Sequence, residues 1–340
     1  MCHSWDMDTR RACCALGLLG LLACGGGDAD RSKDSDTSNN LDTSNNLDTS
    51  GGDTGELAPL SLDGACALED RLGGFTVESN ERYALVLGQV RDGVVPSSVL
   101  DLAASEGDCS LWRRTNPVCD PACGADETCS EDGTCIPYPL GQDLGVVTVT
   151  GLLAEVSMSA VDPDQSYFNT SVPNPPWTTG ERVTLSAPAE GPFGAFSLDG
   201  VGLDPFEGAS SALVVEDGEA LAVTWTAAPA GAASFVRLEM TIDQHGLTPL
   251  TLVCRFEDDG AGEVPAALLS ELVSSGVSGF PNGSLARQTA DSVALGAGCV
   301  DLEVGQVVLP DVSVAGSTPC HDDGDCPEGQ SCNLDLEICE

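Results

Sequence analysis

Eight cysteines crowd into two stretches too short to hold an apolar core. Cys119, Cys123, Cys129 and Cys135 are separated by three, five and five residues, and Cys320, Cys326, Cys332 and Cys339 by five, five and six. A segment of about 20 residues buries too little surface to fold unaided, so cross-links or a metal must hold it. Both stretches share a central C-x5-C with acidic and glycine residues in the loops: Cys123-Gly-Ala-Asp-Glu-Thr-Cys129 and Cys326-Pro-Glu-Gly-Gln-Ser-Cys332. Zinc is the competing reading, but neither stretch has the paired C-x2-C knuckles of a zinc site. Disulfides require an oxidising compartment, and therefore export.

The N-terminus supplies an export signal. Arg10 and Arg11 precede an apolar run from Ala12 to Ala23, then Cys24 and three glycines. A basic n-region, a short apolar stretch and a small residue before the cut mark a secretory leader. The run is well short of the roughly 20 apolar residues that span a bilayer. Leu21-Leu22-Ala23-Cys24 resembles the lipobox of bacterial lipoproteins. The resemblance implies a diacylglyceryl thioether on Cys24, cleavage before it, and acylation of the new amino group. More than one chain is needed for stable anchoring, because a single acyl chain binds a membrane only marginally. Gly25 in place of an aspartate favours the outer membrane, by analogy with the sorting rule of enteric bacteria. Asp6 and Asp8 dilute the n-region, so initiation at Met7 would give a tidier leader.

Cysteine arithmetic supports this reading independently. Of sixteen cysteines, Cys2, Cys13 and Cys14 leave with the leader and Cys24 carries lipid. Twelve remain for bridges: Cys66, Cys109, Cys119, Cys123, Cys129, Cys135, Cys254, Cys299, Cys320, Cys326, Cys332 and Cys339. An even number in an exported chain reads as a disulfide framework. Within each cluster a 1–3, 2–4 pairing is expected, though four cysteines allow three connectivities. Outside them the expected pairs are Cys254 with Cys299 and Cys66 with Cys109. Cys320-His-Asp-Asp-Gly-Asp-Cys326-Pro-Glu-Gly resembles the cysteine-rich repeats related to the Dickkopf N-terminal domain. It covers about 20 residues and implies a fold device rather than an activity. Similar knuckles occur in cysteine-rich surface lipoproteins of myxobacterial type.

Between the anchor and the first strand the chain has almost nothing to bury. Asp-Thr-Ser-Asn-Asn-Leu runs from Asp36 to Leu41, repeats from Asp42 to Leu47 and begins again at Asp48. Such polar repeats do not offset the entropy of ordering, so 24–59 reads as a tether with a reach of roughly 30–35 Å. The formal charge of −41 repels nucleic acid and anionic lipid surfaces, which removes both as direct partners.

The body alternates apolar and polar residues with period two, the signature of half-buried strands. Leu221, Val223, Trp225 and Ala227 form one apolar face, Val236, Leu238, Met240 and Ile242 a second, and Leu250, Leu252, Cys254 and Phe256 a third. Shorter runs lie at Val147–Val149, Val183–Leu185, Val300–Val304, Phe75–Glu78 and Tyr83–Val90. Turn-rich clusters separate them, which predicts a mainly β fold: an antiparallel β-sandwich ectodomain with one short helix and two small disulfide-rich knuckles. The helix starts near Pro265, lines up Leu268, Leu269, Leu272 and Val273, and ends before Gly276, the proline-first, glycine-last asymmetry of helix boundaries. The expected division is 1–23 signal peptide, 24–59 tether, 60–115 β-rich N-terminal part, 116–138 first knuckle, 139–315 sandwich and 316–340 second knuckle. The first knuckle reads either as an insertion in one continuous β domain or as the end of a separate small one. The alternation also sets Cys299 opposite to Val300 and Leu302, so its pairing with Cys254 requires a bulge at the strand start.

Chemistry-bearing residues are sparse. His3 leaves with the leader, His321 sits in a knuckle loop, and His245 lies in a turn. The chain contains no G-x-S-x-G, H-E-x-x-H, P-loop or G-x-G-x-x-G, which are the motifs that would place a nucleophile, zinc or phosphate. Calcium is the better carboxylate hypothesis, with weak candidates in the turns Asp162, Asp164, Ser166 and Asp322, Asp323, Asp325; neither has the full twelve-residue loop. Tyr167, Phe168 and Trp177 either stack on a sugar or cap the core. The sequence is therefore read as an envelope-anchored lipoprotein with a non-enzymatic binding or structural β ectodomain, without a catalytic residue or cofactor. Its expected partners are a membrane through the lipid and a surface glycan or envelope protein. The alternatives are an extracytoplasmic hydrolase using an Asp/Glu pair, or a calcium-dependent carbohydrate-binding module.

Overall fold

A computed structural model of the chain describes residues 61–340 except 115, 189–191 and 246–248. The expected leader, Cys24 and the tether lie outside the described residues. The fold is mainly β, and its backbone is a nine-stranded sheet. In spatial order this sheet runs β3 (Leu100–Glu106), β4 (Cys109–Arg114), β15 (Leu250–Glu257), β14 (Phe235–Thr241), β17 (Asn282–Leu295), β18 (Gly298–Val308), β1 (Arg71–Ser79), β2 (Ala84–Val90) and β9 (Tyr167–Asn169). All neighbours are antiparallel except β1 and β18, which pair in parallel. Strands from 71–114 thus occupy both wings of the sheet that 235–308 centres.

Two covers close one face of this sheet. Over β1, β2 and β18 lies a four-stranded sheet in the order β11 (Phe196–Val201), β10 (Arg182–Ala187), β7 (Val147–Thr150) and β8 (Val156–Met158). Phe75, Val77, Val86, Val300, Leu302 and Val304 meet Val147, Val149, Val183, Leu185 and Leu198 in the core between them. Over β4, β14 and β15 lie the parallel ribbon β12 (Ala212–Val215) with β19 (Asp311–Val314) and the antiparallel ribbon β13 (Leu221–Thr224) with β16 (Ala261–Val264). Helix α1 (Ala266–Ser274) packs there too, burying Leu268, Leu269 and Leu272 beside Leu238, Leu252 and Phe256. Pro265 caps its start and Gly276, at φ +126°, takes the turn out of it, a conformation that glycine adopts without a Cβ clash.

Of the apolar faces expected from alternation, the one on 221–227 is buried at Val223 and Trp225 but half-buried at Leu221 and exposed at Ala227. Leu250, Leu252, Cys254 and Phe256 are at most 2% exposed, and Val236, Leu238, Met240 and Ile242 at most 1%. Strand β17 was not anticipated. Its register places Leu285, Arg287, Thr289, Asp291 and Val293 on the same face as those residues. Side chains two apart share a face, so a polar seam of Arg287, Thr289 and Asp291, with Gln306 beside it, divides the face into two cores. Main chain of β11 and of the segment that leads from it to the second cover satisfies the seam. Asp199 N–H donates to Asp291, Val201 N–H to Thr289 Oγ1 and Phe206 N–H to Gln306 Oε1. Arg287 donates to the carbonyls of Pro205 and Thr226 and to Asp258. Its Nε also lies 2.8 Å from Asp258 Oδ2, an ion-pair contact rather than an aligned hydrogen bond. Buried polar groups survive in a core only when paired in this way.

The knuckles are small two-strand ribbons, β5 (Glu127–Cys129) with β6 (Cys135–Pro137) and β20 (Cys332–Asn333) with β21 (Ile338–Cys339). Each is closed in the 1–3, 2–4 pattern: Cys119–Cys129 with Cys123–Cys135, and Cys320–Cys332 with Cys326–Cys339. The other two pairs correct the expectation. Cys254 is bonded to Cys109, and Cys66 to Cys299. Cys254 faces the core and lies directly across from Cys109 on β4. Cys299 faces the opposite side, as its alternation with Val300 and Leu302 requires, and no bulge reverses it. Parallel pairing of β1 with β18, Arg71 against Cys299, brings the lead-in residue Cys66 to it instead.

Candidate functional site

The second face of the large sheet carries its side chains half-buried or exposed over most of its extent, Thr76, Leu87, Arg237, Glu239 and Arg255 among them. At its β2–β9 edge this face sinks into a cavity of about 600 Å³. Its floor is Gly74, Thr76, Leu87 and Gln89, and Phe168 and Tyr138 stand at the sides. Leu87 and Phe168 are register partners, so the alternation that buries Tyr167 turns Phe168 outward, 58% exposed.

Two arginines enter this cavity from different devices. A bulge between Arg71 and Gly73 shifts the β1–β18 register, and such a bulge re-aims the side chain before it. Arg71 thereby donates from Nε and Nη2 to Asp301 Oδ1, at 3.2 and 2.9 Å. Asp301 is 1% exposed and lies against Gly74, where a Cβ would stand 1.9 Å from the carboxylate oxygen. Glycine at 74 is thus what admits the ion pair. Arg91 is held by neutral groups: Nη2 donates to Gln89 Oε1 at 2.8 Å, Nη1 to Pro139 O at 3.0 Å, and the guanidinium lies 5.9 Å from the Tyr138 ring centroid. Gln89 is itself locked by its amide donating to Asp164 O at 2.6 Å. Among the described residues no aspartate or glutamate lines the cavity, although the chain has 54 acidic residues against 13 basic ones.

The residues singled out from sequence divide around this site. Ser166 lines it, but the turn that bears Ser166 uses its carboxylates internally. Asp164 Oδ1 accepts from Ser166 N and Oγ, and Asp162 Oδ1 accepts from Gln165 Nε2. In the second knuckle Asp322 accepts from Gly324 N–H, Asp323 from Cys332 N–H, and Asp325 from the N–H groups of His321 and Asp322. The His321 N–H, first among these donors, holds the Asp325 carboxyl below the usual carboxylate range. Hydrogen bonds from Ser130 and Thr134 do the same for Asp132 in the first knuckle. Among the described residues, the groups of three His, Cys, Asp or Glu ligand atoms that converge as a metal site would are Cys119, Cys123, Cys129 and Cys320, Cys326, Cys339. Those sulfurs are committed to bridges.

Tyr167 and Trp177 cap the core, 1% and 3% exposed, with Trp177 Nε1 donating to Leu203 O. Tyr167 and Phe168 both line the cavity, and of the three aromatics Phe168 is the exposed one. Both histidines among the described residues join the second knuckle to the body: His245 Nε2 lies 3.3 Å from Glu337 Oε2, and His321 stacks on Phe280 at 4.5 Å. Arg71, Gln89, Arg91 and Tyr138 were missed from sequence. The signal that could have found them is arginine at a strand end in so acidic a chain. Compared with protein-family models, curated proteins and solved structures, the chain matches none.

Proposed function

We propose that this chain is an exported lipoprotein, acylated at Cys24, whose β ectodomain binds a ligand of the cell envelope in the Arg91 cavity. The observation that carries the reading is the closure of the twelve cysteines beyond Cys24 into six bridges with none left over. Such a framework belongs to an oxidising compartment, and it makes no demand on Cys24. The preformed cavity, with an arginine held ready and two exposed rings, supports binding as the task of the folded part. Replacing Cys24 by serine is expected to move the protein from the membrane to the soluble fraction on cell fractionation. Equal membrane retention of wild type and Cys24→Ser would remove the anchor from the account.

A further inference from the structure

We propose that the Arg91 cavity takes a carboxylated sugar, a uronate residue carried on an otherwise neutral short saccharide. This rests on the reading of the cavity as a binding site. Arg91 is the cation that sets the ligand's charge. Arg71, Arg182, Arg237 and Arg287 each have a carboxylate partner within 4 Å, whereas among the described residues Gln89, Pro139 and Tyr138 hold Arg91 without one. A guanidinium carries five N–H donors, of which these neighbours take two, so three remain for a carboxylate. Its orientation is fixed before any ligand arrives, which lowers the entropy lost on binding.

The surroundings narrow the class. One uncompensated cation matches one negative charge. A polyanion would meet the field of a chain whose net charge is −41, and like charge disfavours approach. Phe168 and Tyr138 offer faces 58% and 43% exposed, against which the C–H face of a pyranose can pack in place of water. Thr76, Ser98 and Ser166 place hydroxyls around the same space, whose oxygens can accept from sugar hydroxyls. A peptide C-terminus is captured by a backbone N–H nest, but the floor here is β1 and β2, whose backbones face each other in a ladder.

The test is calorimetric titration of the mature chain in detergent with glucuronosyl-galactose, its methyl ester and inorganic phosphate. The acid is expected to bind about tenfold or more tighter than the ester, as a charge-assisted contact requires. Arg91→Gln should abolish that preference. Phe168→Ala, at an exposed position that leaves the fold intact, should weaken acid and ester alike. Equal affinity for acid and ester, or tighter binding of phosphate than of either, overturns the proposal. If none of the three binds while Phe168→Ala reduces retention on immobilised envelope glycan, the uronate is wrong and the cavity still binds. If Phe168→Ala and Arg91→Gln change no binding at all, both readings fall.

Discussion

Asp258→Ala is expected to cost the fold about 3–5 kcal/mol, because it leaves a buried arginine charge without its partner. Arg287 and Asp258 have side chains 2% and 3% exposed. Asp258 also accepts from Trp225 Nε1 at 2.9 Å and Ser234 Oγ at 2.6 Å, so the truncation strands three donors together. The damage should be concentrated at the seam where β17 meets the segment that joins the two covers. Urea unfolding would show it as a lower midpoint with an unchanged slope. Adding Arg287→Met to Asp258→Ala should restore about half the loss, since an apolar replacement removes the orphaned charge. A double variant as unstable as the single one would mean that the ion pair is not what holds the seam.

The second large effect belongs to the bridge Cys109–Cys254. It links directly opposed residues in the core under α1 and spans 145 residues of chain. Replacing both cysteines by alanine is expected to lower stability by about 4 kcal/mol, the upper part of the range for removing a native bridge, because a long loop is freed in the unfolded chain. Thermal unfolding of the double variant against wild type checks this. A change within about 0.5 kcal/mol would contradict a structural role for the bridge. Cys66–Cys299 spans more chain, 233 residues, but sits on the other face of the sheet and secures the lead-in to β1 instead.

What could be read from sequence follows from which contacts are local. Val236 to Ile242 and Leu250 to Phe256 alternate cleanly because one face of each strand is buried and the other is not. The stretch Ser284 to Asp291 does not alternate in this way, and β17 went unseen. Its inward polar side chains are satisfied by main chain at 199–206 and by Asp258, partners far away in sequence. The same alternation placed Cys254 on the core face and argued against its pairing with Cys299. Which strand lies beside it was not legible, since the neighbour comes from residues 109–114. The candidate site shares this difficulty. Phe168 stood among three aromatics read as either stacking on a sugar or capping the core, but its cavity is assembled from 68–91, 95–98, 138 and 166–168. Arg91 acquires meaning only when Gln89, Pro139 and Tyr138 surround it.

In the proposed reading an exported chain folds around one large sheet that carries two cores, and every cysteine beyond Cys24 closes into a bridge. Non-reducing peptide mapping of the mature protein by mass spectrometry tests it most directly. The expected result is Cys109 linked to Cys254 and Cys66 linked to Cys299, with both knuckles paired 1–3, 2–4, no free thiol, and an N-terminal Cys24 carrying the added mass of lipid. Cys254 linked to Cys299, Cys66 linked to Cys109, or free thiols among the twelve would contradict it.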